Sequence, residues 1–158
     1  MKYSLRKGLS FGLTSAVITT LGLMVGLYSG TYSTLIVLGG ILSIAVADSF
    51  SDALGIHVSE EACGELSLKE IWIATIVTFF TKFIFALTFM VPVLLFPLNV
   101  AIWICIAWGV FLIGLFSMYM AKKQGNNPWL VAMEHVFIML VVIAITYFIG
   151  NWISNHFV

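Results

Sequence analysis

Of 158 residues, 61% are hydrophobic and 9% charged, with a mean hydropathy of +1.11. Soluble domains carry about a quarter charged residues, so this composition excludes a water-soluble globular protein and leaves one transmembrane domain over residues 1–158. Seven basic and seven acidic residues cancel, which gives no basis for nucleic-acid or polybasic membrane-surface binding, and Cys63 and Cys105 are too few for a disulfide framework.

The N-terminus places basic residues before an apolar stretch, as a signal peptide would. That stretch runs without charge to Asp48 and lacks a small-residue cleavage site, so it reads as a retained first helix. A spanning helix needs about 20 apolar residues, since the hydrocarbon core is about 30 Å thick and each residue rises about 1.5 Å. The loop-like stretch Tyr28 to Ser33 divides the first apolar run into helices near 9–28 and 34–57. A charged patch from Ser59 to Glu70 precedes a third helix near 71–95. Pro97 turns the chain into a fourth near 100–121, and Lys122 to Pro128 forms a loop before a fifth near 129–152. The expected fold is therefore an all-α integral membrane protein of five helices. Lys2, Arg6, Lys7, Lys69, Lys122 and Lys123 fall on one side of this arrangement, which predicts a cytoplasmic N-terminus and an external C-terminus in the cell membrane, or in an organelle membrane of a eukaryote. Tyr28, Tyr32, Trp72, Trp129 and Trp152 lie near the expected interfaces.

Several residues are out of place in hydrocarbon. Asp48 and Asp52, four apart, share a face of the second helix, and Ser51, Gly55 and Ser59 are expected to extend it. Lys82 falls near the middle of the third helix, and Glu134 and His135 about a turn into the fifth. Counting helical rise, Ser15, Asp48, Asp52 and Glu134 lie roughly 4–10 Å to the cytoplasmic side of the midplane, with Lys82 close to it. Intramembrane charges cost at least about 2.5–3.5 kcal/mol each and mark ion or proton paths, although pairing of Lys82 with Asp48 as interhelical glue is the plainer reading. Three carboxylates against one lysine suit one divalent cation, with Asp48 and Asp52 as metal ligands, Glu134 as a supporting ligand or proton acceptor, Ser15 beside them at the same depth, and Lys82 as the coupling group. His57 and His135 read as interfacial or packing histidines, the scattered methionines as core, and Glu60, Glu61 and Glu65 as a solvated loop. Gly22 and Gly26 belong to a small-residue stripe expected to form a homodimer face on helix one. No nucleophile–base pair or Gly-rich phosphate loop is visible, so an enzyme is not expected, and no resident cofactor is implied.

The run from Phe11-Gly12-Leu13-Thr14-Ser15 to Thr20-Leu21-Gly22-Leu23 resembles the first helix of the vacuolar iron transporter family, F-G-L-N-D-G-L-V-S-T-L-G-L. Ala47-Asp48-Ser49-Phe50-Ser51-Asp52 is similar to that family's A-D-G-F-S-M, and Thr146-Tyr147-Phe148-Ile149-Gly150 to its T-Y-x-I-G ending. The likeness runs over all five helices and is specific in the first two. It implies a dimeric five-helix carrier that exports iron(II) or manganese(II) as substrate, by proton antiport. By position, the family's path-lining residues become Ser15, Asp48 and Asp52. Only Asp48 is retained, an aspartate having become Ser15 and a methionine Asp52. The short link between helices two and three lacks the family's cytoplasmic metal-binding insert and resembles the nodulin-like branch. The alternatives are a proton-coupled carrier of another substrate using Lys82, and a non-transporting structural membrane protein.

Overall fold

A computed structural model describes residues 2–157, and every regular element in them is a helix. These are α1 (Lys2–Thr31), α2 (Thr34–Cys63), α3 (Leu68–Thr88), α4 (Met90–Leu95), α5 (Leu98–Gln124) and α6 (Pro128–Phe157). Five helical stretches are long and apolar enough to cross a membrane, with α3 and α4 together making the third. They run 27–30 residues, longer than the 20–25 expected. Apolar residues mark only the hydrocarbon-spanning part. The backbone continues helical through the headgroup layer, and 30 residues at about 1.5 Å each reach the full bilayer thickness of about 45 Å.

The helix ends follow local chemistry. The expected loop from Tyr28 shrinks to two residues, because α1 stays helical to Thr31 and Tyr32 closes it at a φ of 50°. Gly125, at a φ of 74°, turns the end of α5 with its N–H directed at Ala121 and Lys122 carbonyls. Asn127 Oδ1 accepts from the backbone N–H groups of Trp129 (3.1 Å) and Leu130 (3.4 Å), with Pro128 at the first helical position of α6. The third span is not the single helix expected over 71–95. Pro92 has no N–H to give the Thr88 carbonyl and its ring crowds that turn, so α3 stops at Thr88 and α4 resumes at Met90.

The chain divides into two compact units, and α1 and α2 contribute to both. The first comprises the residues up to Thr20 together with Ile41–Met90. Here α1 lies against α3 at Gly8 and Gly12. A Cβ at Gly8 would come 2.6 Å from the Ala74 carbonyl oxygen, and one at Gly12 2.8 Å from that of Thr78. Rings of Phe50 on α2 and Phe79 on α3 meet at 4.6 Å, and those of His57 and Trp72 at 4.7 Å.

The second unit comprises Leu21–Gly40 and the residues from Val91 on. Its α1 segment packs on α6. Ser29 Oγ donates to the carbonyls of Gly26 (3.1 Å) and Tyr147 (3.0 Å), and a Cβ at Gly22 would lie 3.1 Å from Val142 Cγ1. Gly26 faces Thr146 in the same way. The Gly22–Gly26 face expected between protomers is therefore occupied by α6 of the same chain, since small residues let two helices approach closely.

Candidate functional site

Within the first unit, three helices converge on one buried lysine. Lys82 is 1% exposed on α3, and its Nζ donates to Ser15 Oγ of α1 (2.7 Å) and to Asp52 Oδ2 of α2. Ser15 Oγ donates in turn to the same Asp52 oxygen, at 2.6 Å. Asp48 Oδ2 lies 2.5 Å from Lys82 Nζ as an ion pair but makes no hydrogen bond. The ammonium thus sits among three oxygens from two helices. Two carboxylates against one ammonium leave a formal charge of −1.

Each side chain is placed by its helix. Asp48 and Asp52 are one turn apart on α2 and both half-buried, while Ser15 faces them across an antiparallel α1. The missing Cβ atoms of Gly8 and Gly12 let α3 close on α1, which brings the Lys82 stem to the Ser15 level. In a low dielectric an uncompensated charge is costly, so pairing of lysine and carboxylates is the stable arrangement without a bound cation.

The structure therefore brings together Ser15, Asp48, Asp52 and Lys82. It does not add Glu134, which is exposed on α6 in the second unit and has no ion-pair or hydrogen-bond partner among the described residues. Among those residues there is no group of three or more His, Cys, Asp and Glu side chains able to hold a metal ion. Ser51, Gly55 and Ser59 do not share the Asp48–Asp52 face. They are exposed, and a Cβ at Gly55 would meet nothing within 4 Å. A helical residue turns by about 100°, so the one-residue offset from Asp52 to Ser51 moves the stripe off the packed face.

His57 and His135 both have packing partners. His57 Nδ1 is 2.9 Å from Thr75 Oγ1, and His135 Nδ1 is 2.7 Å from Ser117 Oγ. Glu60 was expected in a solvated loop and is instead a buried residue of α2, ion-paired to Lys7 of α1. The four-residue spacing Asp52, Ile56, Glu60 was the available signal, obscured by the exposed Glu61 and Glu65 beside it.

In comparisons with known proteins, no family model matches the chain, and no curated protein matches it.

Proposed function

We propose that the chain is a multi-pass membrane transporter that carries a divalent cation, iron(II) or manganese(II), out of the cytosol in exchange for protons. Lys82 carries this reading. An ammonium buried among the oxygens of Ser15, Asp48 and Asp52 occupies a niche whose chemistry suits a cation. Carboxylate and hydroxyl oxygens favour Mn(II), Fe(II) or Mg over soft Cu(I). The resemblance of α1 and α2 to the vacuolar iron transporter family supports the same substrate class.

The coupling follows from charge. A divalent cation arriving at Asp48 and Asp52 competes with Lys82 for them, and a second positive charge nearby disfavours the ammonium. Release of that proton changes the site from −1 to −2, which the cation balances. The proton leaves as the metal binds and returns as it departs, so a pH gradient drives export.

A second reading keeps Lys82 in the niche permanently, replacing the metal in a proton-coupled carrier of another substrate. Its support is the complete burial of the lysine. Uptake of radiolabelled Mn(II) into proteoliposomes, with and without an imposed pH gradient, separates these. Gradient-accelerated metal uptake is expected. Proton flux without metal uptake favours the second reading, and neither flux leaves an ion cluster that only joins helices.

Orientation is proposed as N-terminus in the cytosol, on the distribution of basic residues. A C-terminal reporter active only in the cytosol is then expected to be silent, and strong activity there would overturn the orientation. The protein is proposed to act as a homodimer through α2, where Ser43, Ala47, Ser51, Gly55 and Ser59 form an exposed small-residue stripe at spacing four. Such stripes let helix backbones approach closely in lipid, and a copy seated there would cover the part-exposed Asp48 and Asp52 beside it.

A further inference from the structure

We propose that Glu60 is a second cation-binding carboxylate, an entry station for the divalent substrate, whose place is held in this structure by Lys7. The direction of passage rests on the transport reading above, whereas the binding chemistry rests on local geometry.

The Glu60 side chain is 4% exposed and forms an ion pair with Lys7 Nζ, whose side chain is 34% exposed. The contacts Lys7–Glu60 and Ser15–Asp52 are separated by eight residues on α1 and by eight on α2, in opposite chain directions. The two helices therefore carry both contacts in one antiparallel register, about 12 Å apart by helical rise. Each of these carboxylates is paired with a lysine from another helix, Asp52 with Lys82 of α3 and Glu60 with Lys7 of α1.

The two stations differ in what the lysine can do. Lys82 is enclosed and can yield to a cation only by losing its proton in place. Lys7 has solvent beside it, and its flexible four-carbon stem lets the ammonium swing out while Glu60 stays buried. A cation exchanging with Lys7 thus needs no proton release at the first stop.

Two further features favour positive charge there. Glu60 lies in the last turn of α2, where the carbonyl end of the helix attracts cations. Glu61 and Glu65 are exposed nearby in sequence and raise the local cation concentration.

The test is equilibrium dialysis of the full-length detergent-solubilised protein against radiolabelled Mn(II), in an Asp48→Asn/Asp52→Asn background that removes the inner ligands. Adding Lys7→Met is expected to reveal one Mn(II) per protomer, bound about tenfold tighter than with Lys7 present. Adding Glu60→Gln as well is expected to abolish it. Lys7→Gln, which can still hydrogen-bond Glu60, serves if the Met variant is not monodisperse. No gain in either Lys7 variant, or a gain that survives Glu60→Gln, overturns the proposal. If Mn(II) binds at Glu60 in these variants while the wild type gives no binding dependent on Asp48 and Asp52, the entry station stands and the transport reading falls.

Discussion

Asp48→Asn and Asp52→Asn are each expected to reduce Mn(II) affinity by about 30- to 4,000-fold, whereas Lys82→Met is expected to retain binding and lose its proton release. Truncating one partner of a buried charged contact costs about 2–5 kcal/mol, and about 1.4 kcal/mol is tenfold in affinity. With one carboxylate neutralised, the remaining aspartate and Lys82 cancel, and a divalent cation entering the niche would be left uncompensated. Methionine keeps much of the Lys82 volume but brings no charge. The Lys82→Met variant has no ammonium in the niche, so the cation binds there without displacing a lysine proton. Isothermal titration in two buffers of different ionisation enthalpy reads the proton count. Equal release from the wild type and Lys82→Met would remove Lys82 from the coupling, and full binding in the double Asn variant would remove the site.

The second large effect concerns glycines that look alike in sequence. Gly12→Leu is expected to prevent accumulation of folded protein, because even a Cβ there would meet the Thr78 carbonyl oxygen at 2.8 Å and Thr81 Cβ at 3.0 Å. The first of these is backbone, so α3 itself must shift, and overpacking of this kind costs about 1–3 kcal/mol or more. The same shift would draw Lys82 away from Ser15. Gly55→Leu is expected to leave the fold intact, since nothing lies within 4 Å of that position, and to move the solubilised protein from dimer towards monomer. Melting curves and light-scattering mass read the two outcomes. A stable Gly12→Leu protein would contradict the α1–α3 approach, and an unchanged mass for Gly55→Leu would move the dimer face off α2.

Much of the candidate site was legible before the fold was known. Asp48, Asp52 and Lys82 stand out because a charge in an apolar run has no solvent to answer it, and helical rise places them near one layer. Ser15 came only through the family resemblance and its depth, since a serine in a membrane helix is common. Glu134 looked equivalent to the aspartates by depth, yet it is exposed on α6 and has no ion-pair partner among the described residues. Depth specifies one coordinate, whereas the direction of a side chain depends on which neighbour its helix face meets. Glu60 was misread for the opposite reason. The hydrophobic count ended α2 near residue 57, but the helix persists to Cys63 and carries Glu60 onto a packed face.

By itself the sequence determined the number of spanning helices, their order and the presence of charge within them. These follow from the local cost of placing polar groups in lipid, which each segment meets on its own. Only the tertiary structure decided which charges are partners and which glycines are contacts. Gly12 lies against α3, Gly22 against α6 and Gly55 against nothing, although all three sit in similar small-residue spacings. Lipid is as apolar as leucine, so burying one face rather than another brings little hydrophobic gain, and pairing is settled by close packing and by the few polar groups that must find each other. That is why Lys82 links α1, α2 and α3 in a way no single helix announces.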